Sequence, residues 1–252
     1  FNNLDDIDYI LNGLKKIGFD YVYEVSRAAE LVSEATRRLI SRNTVKKPVI
    51  SSACPAIVRL IRVRFPDLCD NVLSIKSPME ISAFIAKRDA ALRTGLDRDK
   101  IGCFFITPCP AKVTDIKMPL GIDKSMVDGA IAISEIFPEL SSEMDKLEDI
   151  KPIASSGIIG VSWATSGGES SALLSDKYLA ADGIENVIRV LEEVEDERIG
   201  DLDFIELNAY AGGFVGGVLC VETPYVAKAR IQRLRKYLPV STNHLRTATV
   251  PV

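Results

Sequence analysis

The sequence predicts an α/β protein built on mainly parallel sheets flanked by helices. Three observations predict it. Helical and strand-like segments alternate from end to end, and strands separated by helices pair in parallel. Hydrophobic residues make up 47% of the 252-residue chain and charged ones 26%, enough to bury a sizeable core. Three segments rich in Ser, Cys, Pro and Gly fall where predicted strands end, the edge at which parallel folds bind ligands.

The elements follow in order. Residues 4–16 place Leu4, Ile7, Ile10, Leu11 and Leu14 at helical spacing, with Asp5 and Asp6 suited to the positive end of the helix. Residues 19–25 read as a strand, and 26–42 as a helix with Ser26 as its N-cap. A short strand at 48–54 runs into a helix at 55–65 opened by Pro55. The helix at 77–95 is capped by Ser77, carries Pro78 and Glu80 in its first turn and stops at Gly95. Residues 101–109 read as a buried strand, 128–136 as a strand and 138–149 as a polar helix. The segment 156–170 is glycine-rich around a small strand and leads into a short helix. Helices at 184–199 and 223–238 flank a strand at 203–211. Met118, Pro119 and Gly121 mark 116–127 as the expected boundary between two lobes.

Composition excludes several classes. The net charge is −4, from 31 basic and 35 acidic residues, with no concentration of positive charge of the kind nucleic acid recruits. No apolar run reaches the roughly 18–20 residues of a membrane-spanning helix. Phe1 is not a methionine, so flanking domains of a longer chain are expected. Cys54, Cys69, Cys103, Cys109 and Cys220 form no CxxC pair, and an odd count without a signal peptide indicates a reducing, cytoplasmic setting. One histidine, His244, lies in the tail and reads as solvated. Any His-based metal site, Ser–His–Asp triad or Cys–His dyad would have to use it.

The three strand-end segments carry the chemistry. They are Ser51-Ser52-Ala53-Cys54-Pro55-Ala56, Thr107-Pro108-Cys109-Pro110-Ala111-Lys112, and the run from Asn208 to Gly217 with four glycines. Two place a Cys-Pro at a turn, where backbone N–H donors favour the thiolate a metal needs. A cysteine in a strand is ordinarily a small buried hydrophobe, which suits Cys103, Cys69 and Cys220. Cys103 precedes Cys109 by roughly 20 Å of extended strand, too far to share a small cluster with it. Two Cys-Pro turns on comparable strands point to a shared metal or redox site. The glycine run lets backbone approach something bulky, but it is not the dinucleotide fingerprint.

In order, SSACPA, TPCPAK and NAYAGGFVGG resemble the three signature segments of the FeFe-hydrogenase large subunit, its catalytic H-domain. KSPMEISA at 76–83 is similar to that family's serine-proline helix start, and SRAAELV at 26–32 to its acidic proton-path helix. The similarity runs from about residue 19 to 230, in the flavour of the family's sensory branch. It implies one H-domain over 1–252, with two α/β lobes, each a mainly parallel sheet flanked by helices, clasping an H-cluster in the cleft between them. That cofactor is a 4Fe–4S cubane joined to a two-iron unit. The resemblance makes Cys54 and Cys109 metal ligands and Lys112 a cofactor contact. Its other two ligand positions fall on Tyr210 and Phe214, both cysteines in the family. The proton path implied is Glu30, Ser77 and Asp115, with Ala53 in place of the proton-donating thiol and Arg27 in place of an acid.

These departures bear on function. A cubane normally takes four thiolates. Phenylalanine coordinates nothing, and tyrosine does so only as phenolate, with an ordinary pKa of about 10. The expectation is a degenerate hydrogenase-like domain without hydrogen turnover, serving as a sensor, scaffold or subunit of an iron–sulfur electron-transfer assembly. The alternative is an active hydrogenase, combining two protons and two electrons to H2 on an atypically ligated cluster. An unrelated small-molecule binder using the cleft is a third reading. The two rings are expected to fill the place of the cubane, with Tyr210 hydrogen-bonded to Lys112 or backbone. The resemblance implies ferredoxin-like iron–sulfur domains as partners. The basic residues Lys228, Arg230, Arg233, Arg235 and Lys236 read first as a solvated face and second as a docking face for them.

Overall fold

The computed structural model describes residues 6–241, so His244 lies outside the described residues. It contains two parallel sheets. One has the order β1-β5-β4, from Val49–Ile50, Phe204–Asn208 and Tyr178–Asp182. The other pairs β2 (Phe104–Thr107) with β3 (Gly129–Ala132). Register is explicit: Val49 and Tyr178 both face Phe204, and Phe104 faces Gly129.

Helices cover both sheets. The first sheet packs on α3 (Pro55–Arg64) and α9 (Ile184–Glu195) through Ile50, Ile57, Ile61, Val187, Leu191 and Ile205. Its middle strand, β5, is buried at all five residues, because neighbours flank both edges and helices cover its faces. The second sheet packs on α1 (Ile7–Lys16) and α6 (Ile133–Met144), where Leu14, Ile136, Leu140 and Met144 form a separate core. Two long helices, α2 (Val25–Ser41) and α4 (Pro78–Thr94), share a further core with Trp163, whose indole donates to Ser33 Oγ at 3.0 Å.

Several elements differ from the sequence reading. Residues 19–24 form no strand. Phe19 and Val22 pack on the α1–α6 core while Tyr23 packs on the α2–α4 core, so the apolar residues of this segment are divided between two cores without pairing in a sheet. Helix α2 takes Glu24 as its N-cap residue, and Ser26 Oγ bonds Ser156 Oγ instead of capping. Ser77 is the N-cap residue of α4 but makes no side-chain cap bond. The strand expected over 128–136 stops at Ala132, where Glu135 reaches back to the Ala132 N–H at 3.0 Å and starts α6 early. The expected small strand in 156–170 is helical, as α7 (Ile158–Ser162) and α8 (Gly168–Ser171). Strand β4 was not anticipated, since all five of its residues are half-buried and two are alanines.

The buried strand expected at 101–109 shrinks to β2, and Phe104 is 54% exposed. Its ring lies over Gly129 of β3. The segment 116–127, expected to separate lobes, connects α5 (Pro110–Lys117) to β3 and so joins two strands of one sheet. The chain instead visits the first sheet twice: β1 precedes β2 and β3, and β4 and β5 return to it.

Candidate functional site

The three strand-end segments converge, because the carboxyl ends of β1, β2 and β5 lead into them. Cys54 ends the turn after β1 and is the N-cap residue of α3, with Pro55 opening the helix. Cys109 repeats the arrangement after β2, with Pro110 opening α5. Proline suits both places, since its fixed φ matches the first helical turn and no N–H is missed there. Both cysteines are buried and free.

The third segment crosses between sheets. It leaves β5 at Asn208, and its Leu219 N–H donates to the Pro108 carbonyl at 3.0 Å, beside Cys109. Ser134 N–H of α6 donates to Leu219 O at 2.9 Å. The glycines make this contact possible by approaching the chain's own backbone. A Cβ on Gly217 would stand 2.3 Å from Pro108 O, and one on Gly216 would stand 1.9 Å from Ala211 O.

Tyr210 joins the two cysteines. The Cys109 thiol donates to Tyr210 Oη at 3.7 Å, so the phenol's partner is sulfur rather than the expected Lys112 or backbone. Burial pushes the Tyr210 phenol up from its ordinary range, and the Cys109 contact adds to that, holding the ring as neutral phenol. Burial likewise raises the Cys54 thiol, outweighing backbone N–H groups of Ile57 and Ala209 that favour thiolate. The turn alone was expected to favour thiolate, and at Cys54 desolvation wins. Lys112 is 4% exposed and its ammonium is pushed down by burial, against the pull of Asp115 and the two thiols.

Phe214 goes elsewhere. It packs against the apolar cluster of α2, α4 and Trp163 that also contains Ala53. The two rings therefore divide: one sits at the thiols and the other extends the core.

The proposed proton-path residues also divide. Ser77 and Asp115 line one cavity of about 440 Å³ with Ser52 and Glu80, between the start of α3 and the loop at 119–122. Ser77 Oγ is buried there without a partner, and Asp115 lies 3.8 Å from Arg59. Glu30 is not part of that cavity. Its Oε2 accepts from Ser241 Oγ at 2.6 Å, while Oε1 is buried without a partner. Arg27 stands 5.1 Å over the Tyr23 ring.

A buried acid pair beneath the site was missed by sequence reasoning. Glu206 of β5 accepts from Gly167 N–H and Asn208 Nδ2 at 2.9 Å each and from Ser170 N–H at 2.8 Å. Glu169 of α8 bonds Ser51 Oγ at 2.6 Å, and Ser51 Oγ in turn accepts the Ala53 N–H at 3.1 Å. Burial, then the Glu206 charge, push Glu169 up to about 8. Burial raises Glu206 as well, but its three N–H donors favour its charged form, so within the pair Glu169 carries the proton. The signal was present in FIELN, a core strand interrupted by an acid. Glu80 was named only as a first-turn acid. It anchors the 125–127 loop, with Ser125 Oγ and Met126 N–H (2.8 Å) as donors.

A family model described as the iron only hydrogenase large subunit, C-terminal domain, matches residues 5–179. The chain belongs to this family. Among curated hydrogenase-family relatives, it is 25% identical over 210 residues to the NADP-reducing hydrogenase subunit HndD of Solidesulfovibrio fructosivorans, covering 77% of this chain and 35% of that one. It is 27% identical over 161 residues to the cytosolic Fe-S cluster assembly factor NAR1 of Scheffersomyces stipitis, covering 60% of this chain and 30% of that one. The chain thus spans about a third of the length of the curated hydrogenase relatives it matches, 35% for both HndD and iron hydrogenase 1 of Clostridium pasteurianum. The fold matches that of HydA(deltaEFG), solved in work on stepwise H-cluster assembly, with a TM-score of 0.72, 16% identity, and coverage of 97% and 81%. An apo variant of HydA1 from Chlamydomonas reinhardtii matches with a TM-score of 0.69 at 16% identity and the same coverage.

The donors present do not fit the four-cysteine cubane of a hydrogenase H-domain. Two thiols and one phenol meet at the site, and the phenol is held away from phenolate. Among the described residues, no three His, Cys, Asp or Glu side chains are grouped to hold a metal ion.

Proposed function

We propose that this chain is a degenerate hydrogenase-like domain that does not turn over hydrogen and acts as a scaffold or sensor in a larger iron–sulfur assembly. The observation that carries the reading is Tyr210 Oη against Cys109 Sγ, a neutral phenol where a resembling hydrogenase has a ligand thiolate. Ala53 supports it, because a methyl group carries no proton to a reacting centre. So does the separation of Glu30 from the cavity that holds Ser77 and Asp115, since a relay needs its members within hydrogen-bond reach. The relatives named as cytosolic Fe-S cluster assembly factors support an assembly role and a cytosolic setting.

Partners in this reading are ferredoxin-like iron–sulfur domains or subunits. Helix α10 (Pro224–Leu234) has no buried residue and carries Lys228, Arg230 and Arg233 around its surface, basic groups suited to an acidic partner. No helix among the described residues is long and apolar enough to cross a membrane.

Hydrogen evolution from reduced viologen, under strict exclusion of oxygen and after exposure to hydrogenase maturation machinery, is expected to match buffer. Turnover comparable to a competent hydrogenase overturns the proposal in favour of an atypically ligated active cluster.

A further inference from the structure

A second cavity lies at the opposite edge of the β1-β5-β4 sheet. Cys54 and Tyr210 follow the carboxyl ends of its strands, whereas Tyr178 and Phe204 begin β4 and β5 and line this cavity. Five residues of parallel strand separate the two edges by roughly 13–17 Å. The cavity has a volume of about 610 Å³, within the range of roughly 300–1,000 Å³ typical of small-molecule sites.

Its walls combine two chemistries. The floor is Leu173 and Phe204, part of an apolar cluster with Ile40 and Tyr178 packed on it. The rim holds Arg37, Lys47 and Lys177 against one lining acid, Asp203. Asp201 and Asp176 also lie beside Lys177, so the cations do not outnumber the acids, and recognition here rests on the donors the cations leave over. Each is aimed by a neighbour that leaves donors over. Arg37 donates once, to the Ala172 carbonyl at 2.6 Å, and a guanidinium has five N–H groups. Lys47 pairs with Asp203 at 2.7 Å and Lys177 with Asp201, and an ammonium has three.

The geometry points to a binding site for a nucleoside diphosphate, with its phosphates on Arg37, Lys47 and Lys177 and its base and ribose over Tyr178 and the apolar floor. Arginine's planar fork suits phosphate, and the tyrosine ring offers a face on which a base stacks. Nothing in this site uses the cysteines, Lys112 or the acid pair.

Titration calorimetry at low salt tests it with ADP, inorganic pyrophosphate and adenosine as separate probes. ADP is expected to bind with micromolar Kd, and pyrophosphate and adenosine each at least tenfold more weakly. Lys177→Ala removes an exposed side chain without touching the core and should weaken ADP about tenfold, as loss of a charge-assisted bond does. Tyr178→Ala should weaken ADP and leave pyrophosphate unchanged. ADP binding no tighter than pyrophosphate overturns the nucleotide assignment. Binding weaker than about 1 mM, or unchanged in folded Lys177→Ala, overturns the site.

Discussion

Glu169→Gln is expected to flatten the pH dependence of stability between about pH 4.5 and 8. In the native protein Glu169 titrates near 8, against 4.5 for the same group in water. Between those values the folded chain keeps a proton that the unfolded chain has released. Stability from this group is therefore complete below about pH 4.5, falls as pH rises and levels off above about 8. The slope approaches about 1.4 kcal/mol per pH unit, so the whole window amounts to a few kcal/mol. Glutamine keeps the shape and the bond to Ser51 but cannot ionise. At pH 5 the variant should match the parent, and at pH 8 it should be the more stable by a few kcal/mol. Denaturant melts of both proteins across this range measure the difference, in which groups that do not act on Glu169 cancel, while Glu206 and Lys112, which do, contribute to it. Parallel curves for parent and variant would show that Glu169 is not the proton holder.

Gly217→Ala is expected to cost about 3 kcal/mol or more, or to prevent folding. The new methyl would stand 2.3 Å from Pro108 O and 2.8 Å from Pro108 Cβ. Neither can yield cheaply, because Leu219 N–H holds that same carbonyl at 3.0 Å and Cys109 follows it in the turn. A methyl forced into such a space is relieved only by separating the segments that bring Tyr210 to Cys109. Gly200→Ala serves as the control, since nothing lies within 4 Å of its Cβ position. Thermal unfolding of the two variants should separate them by several degrees or more. Equal melting temperatures would mean the crossing segment is not under this constraint.

The strand ends were legible because their signals are local. Cys-Pro after a short apolar run specifies a turn into a helix, and both Cys54 and Cys109 stand where that rule puts them. The strand reading at 19–25 misled because the segment is rich in β-forming residues whose side chains are shared between two cores with no strand partner. The apolar run at 128–136 misled for another reason: Glu135 accepts the Ala132 N–H and starts the helix there, a bond that no hydrophobic count detects. The glycines of the third segment signalled close approach correctly, but the approaching group is the chain's own Pro108 carbonyl, a long-range contact invisible in sequence. Glu169 and Glu206 come from segments 36 residues or more apart in their contacts, and only folding makes them neighbours of Ser51. The division of Tyr210 and Phe214 between the thiols and the apolar core likewise depends on how one turn is oriented.

Iron and acid-labile sulfide, measured per chain on protein purified and reconstituted without oxygen, test the central claim most directly. Two buried thiols beside a neutral phenol are predicted to retain far less than the about four irons and four sulfides of a cubane, with no paramagnetic signal on reduction. About four of each per folded chain, lost when Cys54 or Cys109 is replaced by Ser, would contradict the account.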